Sequence, residues 1–510
     1  MEYIRLMPLG WFLCSCRKIF LILSNSLLRA SSHFLSSKEK GPGRICLTKK
    51  IISCLSIVET VIVNIAKGIK RAEANITDWL GLLKKRETRG IEWDMESIVS
   101  YSRKDTHLYR RCSVLVKRLN RRNSNYNLVG ISVTHLSQLL FALILARVVK
   151  CANKEVLIVL GGAQITKYIN ELIAEKRLVD FIDGFVVGDG EEPLYQLINN
   201  SSSKNFSSVP NFFYKYSNNS SLFYKRSDNV FLFSSNEYTV PDFTNFSFGH
   251  YEFRLPIAAS SGCWWGKCAF CLRPVRYGKD KHIIFSADKV VNVIKQLNHK
   301  YNIGNFVFVD DAISSQFMLN ISECLIDKNI SVKWSGVCIL SRDFLDDDFC
   351  KLLSKSGCRH LSIGLESVSP RILTAMNKYH RGMAVNEIIK VLIMLKKHNI
   401  FVSLHVMFGF PTESINEAEM TLEFLIKHRG LYDSLIPHLF SLTKDTPVYK
   451  YPHNFSITNI SDKPVFNLRR LGFDYEAACG MNMHESESFF VDAIKRLRIN
   501  KITIIEYVFQ

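Results

Sequence analysis

The stretch SSGCWWGKCAFCLRP, residues 260–274, places Cys263, Cys268 and Cys271 on one turn, with Trp264, Trp265 and Gly266 between the first two. Three soft sulfur donors this close read as a metal centre. A zinc ribbon would need a second Cys-x2-Cys pair or paired histidines downstream, and His282 follows the group without a partner. An iron–sulfur cluster also takes thiolates, and three of them leave one iron open to an outside ligand. That arrangement suits chemistry rather than electron transfer alone. On spacing, a cluster and a partial zinc site both stay open.

Outward from the cysteines the chain alternates strand and helix patterns. NFVFVDD, VKWSGV, HLSIGLES and FVSLHVMFGFP read as strands, separated by helical SADKVVNVIKQLNHK, DDDFCKLLSKSG and NEIIKVLIMLKKHN. Each strand ends in polar residues or glycine, as in a β/α barrel that gathers its site at the C-terminal face. Upstream, LVGISV, EVLIVLGG and DGFVV are strands, and SQLLFALILARVVK, TKYINELIAEKR and GDGEEPLYQLIN are helices, giving a second parallel sheet with a crevice at its strand ends. The expected class is α/β: a doubly wound, Rossmann-like domain followed by a partial TIM-like barrel. The expected boundaries are a helical region over 1–95, the first α/β domain over 96–200, a linker with a small β element over 201–250, the barrel over 251–450 and a C-terminal region over 451–510.

The 510 residues, 47% hydrophobic and 22% charged, form a globular balance with ample core material. Fourteen cysteines, only three of them tightly grouped, fit a reduced cytoplasmic protein better than a disulfide framework. The net charge of +19 is uneven: residues 34–122 hold 20 Lys and Arg against 9 Asp and Glu. Such a field attracts acidic partners, but a solvated helical face explains it as well. No aromatic residues interleave the basic ones as single-strand binders require, so nucleic acid is not an expected partner. WFLCSCRKIFLILSNSLL is interrupted by Arg17 and Lys18, short of the roughly 18 apolar residues of a span, which leaves open only weak membrane-surface contact by the basic N-terminus.

GCWWGKCAFC followed by VFVDDAI, GCRHLSIGLES and MFGFPTES, in this order, resembles the radical S-adenosylmethionine (SAM) enzymes. YNLVGISVTHLSQLL, IVLGG and DGFVVGDGEEPL are similar to the cobalamin-binding domain that many of them carry, and the likeness runs from about 125 to 430. WWGKCAFC after VPDF is similar to members that mature ribosomally made peptides (RiPPs) and other natural products. The resemblance implies a 4Fe–4S cluster on Cys263, Cys268 and Cys271, whose open iron binds SAM and cleaves it to a 5′-deoxyadenosyl radical. It implies SAM contacts at Phe270, Asp310, Asp311, Gly364, Glu366, Gly409 and Pro411. If cobalamin binds, Ser132, Thr134, Gly161, Gly162, Gly188, Gly190 and Glu191 would line its crevice. Implied partners are a peptide or small-molecule precursor and a one-electron reductant protein such as flavodoxin or ferredoxin.

Two departures matter. The first cysteine spacing is four residues where three is common in the family. The cobalamin-ligand pattern Asp-x-His-x-x-Gly is matched only by DTHLYR, where Arg110 replaces the glycine, so Asp105 and His107 read as a chance match. Each motif also has a structural reading. Asp310 and Asp311 could cap a helix, Glu366 a strand turn, and Gly409-Phe410-Pro411 a plain turn. Trp264 and Trp265 could be core or cavity wall, and Cys324, Cys338, Cys350 and Cys358 ordinary buried thiols. Three functions compete: carbon modification by a radical SAM enzyme with cobalamin-dependent methylation, cyclisation or epimerisation without cobalamin, and a zinc-stabilised nucleic-acid-binding protein.

Overall fold

The computed structural model describes residues 95–505 except 123–126, 135–136, 201–204, 219–220, 228, 230–239, 245–252, 273–281 and 467–470. The helical region expected over 1–95 therefore lies, but for Met95, outside the described residues. The first unit contains α1 (Met95–Ser102), α2 (His107–Arg122), β1 (Leu128–Ser132), α3 (Ser137–Ala152), β2 (Leu157–Gly161), α4 (Ala163–Lys167), α5 (Ile169–Ala174), β3 (Gly184–Val186), α6 (Glu191–Asn200), β4 (Phe212–Asn218) and β5 (Ser221–Arg226). Its sheet runs β1-β2-β3-β4-β5, the first three strands parallel. β2 is apolar along its length because layers cover both faces, with Ile158 and Leu160 toward α3 and Val159 toward Leu197 of α6. The periodicity of α3 buries Leu139, Leu143 and Ala146 together, as its pattern requires.

Two local expectations change. TKYINELIAEKR is broken at Tyr168, whose backbone leaves helical geometry (φ −109°, ψ 24°) while its ring is buried in the core. Tertiary burial there outweighs helix propensity. The β element expected in a linker is the hairpin β4–β5, and it hydrogen-bonds antiparallel to β3, with Phe185 opposite Phe213. An uncovered β3 would be an open sheet edge, and the hairpin closes it.

The second unit contains β6 (Leu255–Ile257), β7 (Ser260–Ser261), β8 (Ile283–Ile284), α7 (Ala287–Tyr301), β9 (Asn305–Phe308), α8 (Ser315–Asp327), β10 (Lys333–Ile339), α9 (Asp347–Lys355), β11 (Cys358–Glu366), α10 (Pro370–Ala375), α11 (Val385–Lys397), β12 (Phe401–Phe408), α12 (Ile415–Lys427) and β13 (Ser434–Leu439). Six parallel strands lie in the order β13-β12-β11-β10-β9-β6, a partial barrel. Consecutive right-handed crossovers put the helices on one side. Phe306, Phe308, Trp334, Leu361, Ile363, Leu404 and Val406 fill the core between sheet and helices. Strand alternation then turns Ser335, His360, Ser362, Gly364, Ser403 and His405 toward the other, concave face.

After α13 (Pro447–Lys450), the last sixty residues, which carry no sequence signal, add the hairpin β14 (Ile457–Phe466) and β15 (Leu471–Ala477), then α14 (Met483–Ile499). Residues 503–505 then cover the edge of β13: Leu435 N donates to Thr503 O and Ile505 N to Leu435 O, both at 2.8 Å. Among the described residues no helix is long and apolar enough to cross a membrane.

Candidate active site

The cysteine loop leaves β6 at the C-terminal mouth of the barrel. The short ladder of β7 with β8 closes it, with Ser260 opposite Ile284. Gly262 and Gly266 adopt φ of +87° and +59°, where a side chain would strain the turn. The loop is clasped from one side by the segment after α10. Ala269 N donates to Met376 O (2.9 Å), Trp265 Nε1 to Asn377 O (2.9 Å) and Asn377 Nδ2 to Lys267 O (2.9 Å). From the other side Val448 N donates to Ala269 O at 3.1 Å. Trp264 and Trp265 are half-buried, stacked edge-on against Tyr379 with ring centroids at 4.8 and 5.2 Å. None of the three cysteines is in a disulfide, and all are partly exposed. Burial pushes the Cys268 thiol up to about 12, Lys378 works against this, and the neighbouring Cys271 and Cys263 add to it. Among the described residues no three His, Cys, Asp or Glu side chains converge as ligands of a single ion. Three thiolates on one loop are the donor set that an iron–sulfur cluster takes.

The strand ends meet this loop. Asp310, after β9, is buried and accepts hydrogen bonds from Ala259 N (2.9 Å) and Ser260 Oγ (2.6 Å). Burial pushes its carboxyl up to about 6, against those hydrogen bonds. It anchors the start of the cysteine loop and caps no helix; Ser314 is the cap of α8. Asp311 follows it at the same mouth. Glu366 ends β11 with φ +64°, a left-handed conformation uncommon outside glycine. Its Oε1 accepts from Lys378 Nζ at 3.1 Å, and both side chains are buried. A Cβ on Gly364 would stand 2.9 Å from that oxygen and 3.1 Å from that nitrogen, so the position has room only for hydrogen. Lys378 Nζ also lies 5.8 Å from the centre of the Phe270 ring.

Beyond β12, Gly409 has φ +76°, and a Cβ there would come 2.7 Å from Ser486 Cβ of α14. Its N–H donates to Glu413 Oε2 at 2.6 Å. Pro411 lies in the same turn, so Gly409 and Pro411 sit at the junction with the C-terminal region. Deeper in the concave face a polar ladder crosses three strands. Ser362 Oγ lies 2.8 Å from His405 Nε2, and His405 Nδ1 lies 3.2 Å from His438 Nε2. Burial pushes His405 down to about 4 and lowers His438 as well. Barrel interiors are usually packed with branched apolar side chains; here the bore is polar and its imidazoles are neutral.

Residues 257–425 match the Radical SAM superfamily. That match covers about a third of the chain. That family uses a 4Fe–4S cluster and SAM. A bacteriochlorophyllide d C-12(1)-methyltransferase from Chlorobaculum tepidum is 31% identical over 35% of this chain and 39% of its own length. An uncharacterised methyltransferase from Pyrococcus horikoshii is 25% identical over 59% and 64%. The chain thus spans less than two thirds of either curated relative. Among solved structures, the radical SAM methyltransferase TsrM from Kitasatospora setae, with tryptophan and a SAM analogue bound, has TM-score 0.53 at 16% identity over 67% of this chain and 68% of its own. The cobalamin-dependent radical SAM enzyme OxsB with aqua-cobalamin bound has TM-score 0.50 at 16% identity over 67% and 48%. At that identity the likeness is one of fold.

The second unit meets the first. Lys444, beyond β13, pairs with Glu171 of α5 at 3.3 Å, and a shallow pocket between the units is lined by Lys167, Tyr168, Asp445 and Phe473. α4 and α5 follow the C-terminal end of β2, so the segment beyond β13 meets the helices that follow that strand. At the strand ends of the first sheet, Ser132, Thr134, Gly161 and Gly162 lie together: Val133 N donates to Gly161 O (2.7 Å), and Gln164 Nε2 to Thr134 O (3.2 Å). Gly162 (φ +99°) is closed in, since a Cβ would meet Val133 O at 2.7 Å and Ser132 Oγ at 2.9 Å. Gly188 (φ +71°) faces open space, and Gly190 is nearly as open. Glu191 opens α6. Asp105 is spent on Arg147 at 2.8 Å, and His107 begins α2. Sequence reasoning missed Lys378, His405, His438 and Glu413. His405 carried a signal, polar residues at alternate positions of FVSLHVMF, whereas His438, Lys378 and Glu413 carried none.

Proposed function

We propose that this protein is a radical SAM enzyme modifying a carbon centre of a peptide or small-molecule precursor, with cobalamin-dependent methylation as its reaction. The observation that supports it most is three cysteines outside any disulfide on a loop clasped at the C-terminal mouth of a parallel barrel, against the buried Glu366–Lys378 pair. When bound, a one-electron-reduced 4Fe–4S cluster and SAM supply a 5′-deoxyadenosyl radical able to take hydrogen from an unactivated carbon.

The chain's residues divide the work. Cys263, Cys268 and Cys271 hold the cluster. Asp310 fixes the loop that carries them. Asp311, Gly364 and Glu366, at the strand ends, would hold SAM beside the cluster, and Phe270 and the Gly409–Pro411 turn would border the same space. The polar bore beneath, with His405 and His438, receives the precursor. In the first unit Ser132, Thr134, Gly161, Gly188, Gly190 and Glu191 border the cobalamin crevice, and Gly162 shapes it by close packing. The buried acceptor Gln164 Oε1, which has no hydrogen-bond partner, suits a polar cofactor at that edge. Methyl transfer between the units would require their strand ends to face each other, and the contact of Lys444, beyond β13, with Glu171, after β2, supports that reading. A reductant of the flavodoxin or ferredoxin kind completes the system, in a cytoplasm that keeps the thiols reduced.

Anaerobically purified protein is expected to be brown, with about four irons and four sulfides per chain. Reduced with SAM, it should form 5′-deoxyadenosine, and Glu366→Ala should weaken this while retaining the cluster. Stoichiometric zinc without iron overturns the proposal in favour of the zinc-stabilised reading. Equilibrium dialysis with hydroxocobalamin separates methylation from its rival: no retention, consistent with the closed position at Gly162, favours cyclisation or epimerisation.

A further inference from the structure

Lys378 is the one lysine or arginine buried among the described residues. A buried ammonium is costly unless compensated. Glu366 compensates it at 3.1 Å, and the Phe270 ring faces it at 5.8 Å. Burial opposes the charge, but Glu366, Cys268 and Cys271 outweigh it and hold the ammonium above its ordinary value. The same turn that carries Lys378 also clasps the cysteine loop through Met376 and Asn377. Its own backbone is fixed, N–H to Leu373 O at 3.0 Å and carbonyl to Arg381 Nη1 at 2.9 Å. The charge therefore stands in one place relative to the thiols.

From this geometry we infer that Lys378 is a positioning residue for the cluster's electron: its fixed ammonium raises the reduction potential of a cluster on Cys263, Cys268 and Cys271, and Glu366 opposes it. The inference rests on the cluster reading above. The physical reason is charge in a low dielectric. Adding an electron to a thiolate-bound cluster adds negative charge, which a buried cation nearby favours and a buried anion disfavours. The pair is nearly self-cancelling, so removing either member unbalances the site in opposite directions.

The test measures the cluster's midpoint potential by anaerobic dithionite titration without SAM, with iron and sulfide content taken on each sample. Lys378→Met should move it to a more negative value, and Glu366→Gln to a more positive one. The double substitution K378M/E366Q should return it near the parent. Lys378→Arg, which keeps the charge, should also stay near the parent. A merely structural role predicts lost cluster or one common direction. If Lys378→Met does not retain the cluster, Glu366→Gln and the double variant decide. Equal potentials in the parent and Glu366→Gln, or shifts of the same sign in both single variants, overturn the inference. A parent without iron overturns the cluster reading itself, which the iron assay distinguishes from an unmoved potential.

Discussion

Glu413 is fully buried, with one carboxylate oxygen accepting from Gly409 N and the other, Oε1, without a hydrogen-bond partner. Burial pushes this carboxyl up to about 8, so the folded chain holds its proton at neutrality. A raised carboxyl stabilises the fold fully below the unfolded value, about 4.3, and that contribution is lost as pH rises to the folded value. Stability should therefore fall by on the order of 2–4 kcal/mol between about pH 5 and pH 8 through this residue. Glu413→Gln keeps the acceptor and cannot ionise. Urea unfolding at the two pH values should show a flatter profile and a variant more stable than the parent at about pH 8. An unchanged slope would contradict the assignment. Asp310, whose carboxyl burial also raises, matters through the hydrogen bonds it accepts. Asp310→Ala strands the buried Ala259 N–H and Ser260 hydroxyl and should cost about 1–3 kcal/mol in the same measurement.

At the scale of elements, turns decide more than strands. Gly409 and Gly188 both have positive φ, and a sequence reading treats them alike. Gly409 is packed against α14, where Ser486 leaves no room for a Cβ, whereas Gly188 faces open space. Gly409→Ala should cost about 2–4 kcal/mol, backbone strain plus overlap, and Gly188→Ala only about 1 kcal/mol. Thermal unfolding of the two variants side by side checks this; equal losses would mean that the α14 contact is slack. The clasp on the cysteine loop follows the same logic. Its backbone bonds from Met376 and Val448, and the Trp265 bond to Asn377, do not involve the thiols. Replacing Cys263, Cys268 and Cys271 together by Ala should thus abolish bound iron and colour while circular dichroism stays that of the parent.

At the scale of the molecule, the two units meet where Lys444, beyond β13, pairs with Glu171 of α5. The open position at Gly188 makes the cobalamin crevice testable without disturbing the fold. Gly188→Trp should reduce hydroxocobalamin retention in equilibrium dialysis to background while iron content is unchanged. Gly162 is the wrong site for that test, because its Cβ space is already occupied by Val133 and Ser132 and any side chain would disturb the sheet first. Loss of iron together with cobalamin at Gly188→Trp would mean that the two units fail together.

The sequence by itself determined the β/α alternation, the α/β class and the cysteine loop, because these rest on local quantities. Period-two and helical apolar patterns, glycine at turns and three cysteines within nine positions are readable along the chain. It also marked Gly364, Glu366 and Asp310 as strand-end residues. Only the tertiary structure decided what those residues touch. Asp310 reaches back some fifty positions to Ala259, and Lys378 comes in from the segment after α10 to pair with Glu366. His405 and His438 meet across adjacent strands, 33 positions apart. The hairpin β4–β5 joins the first sheet because β3 offered an unpaired edge, and α14 covers Gly409 although nothing in its sequence points there. Charge pairing and burial are properties of neighbours in space, and the low dielectric that gives Lys378 and Glu413 their character exists only once the chain has closed around them.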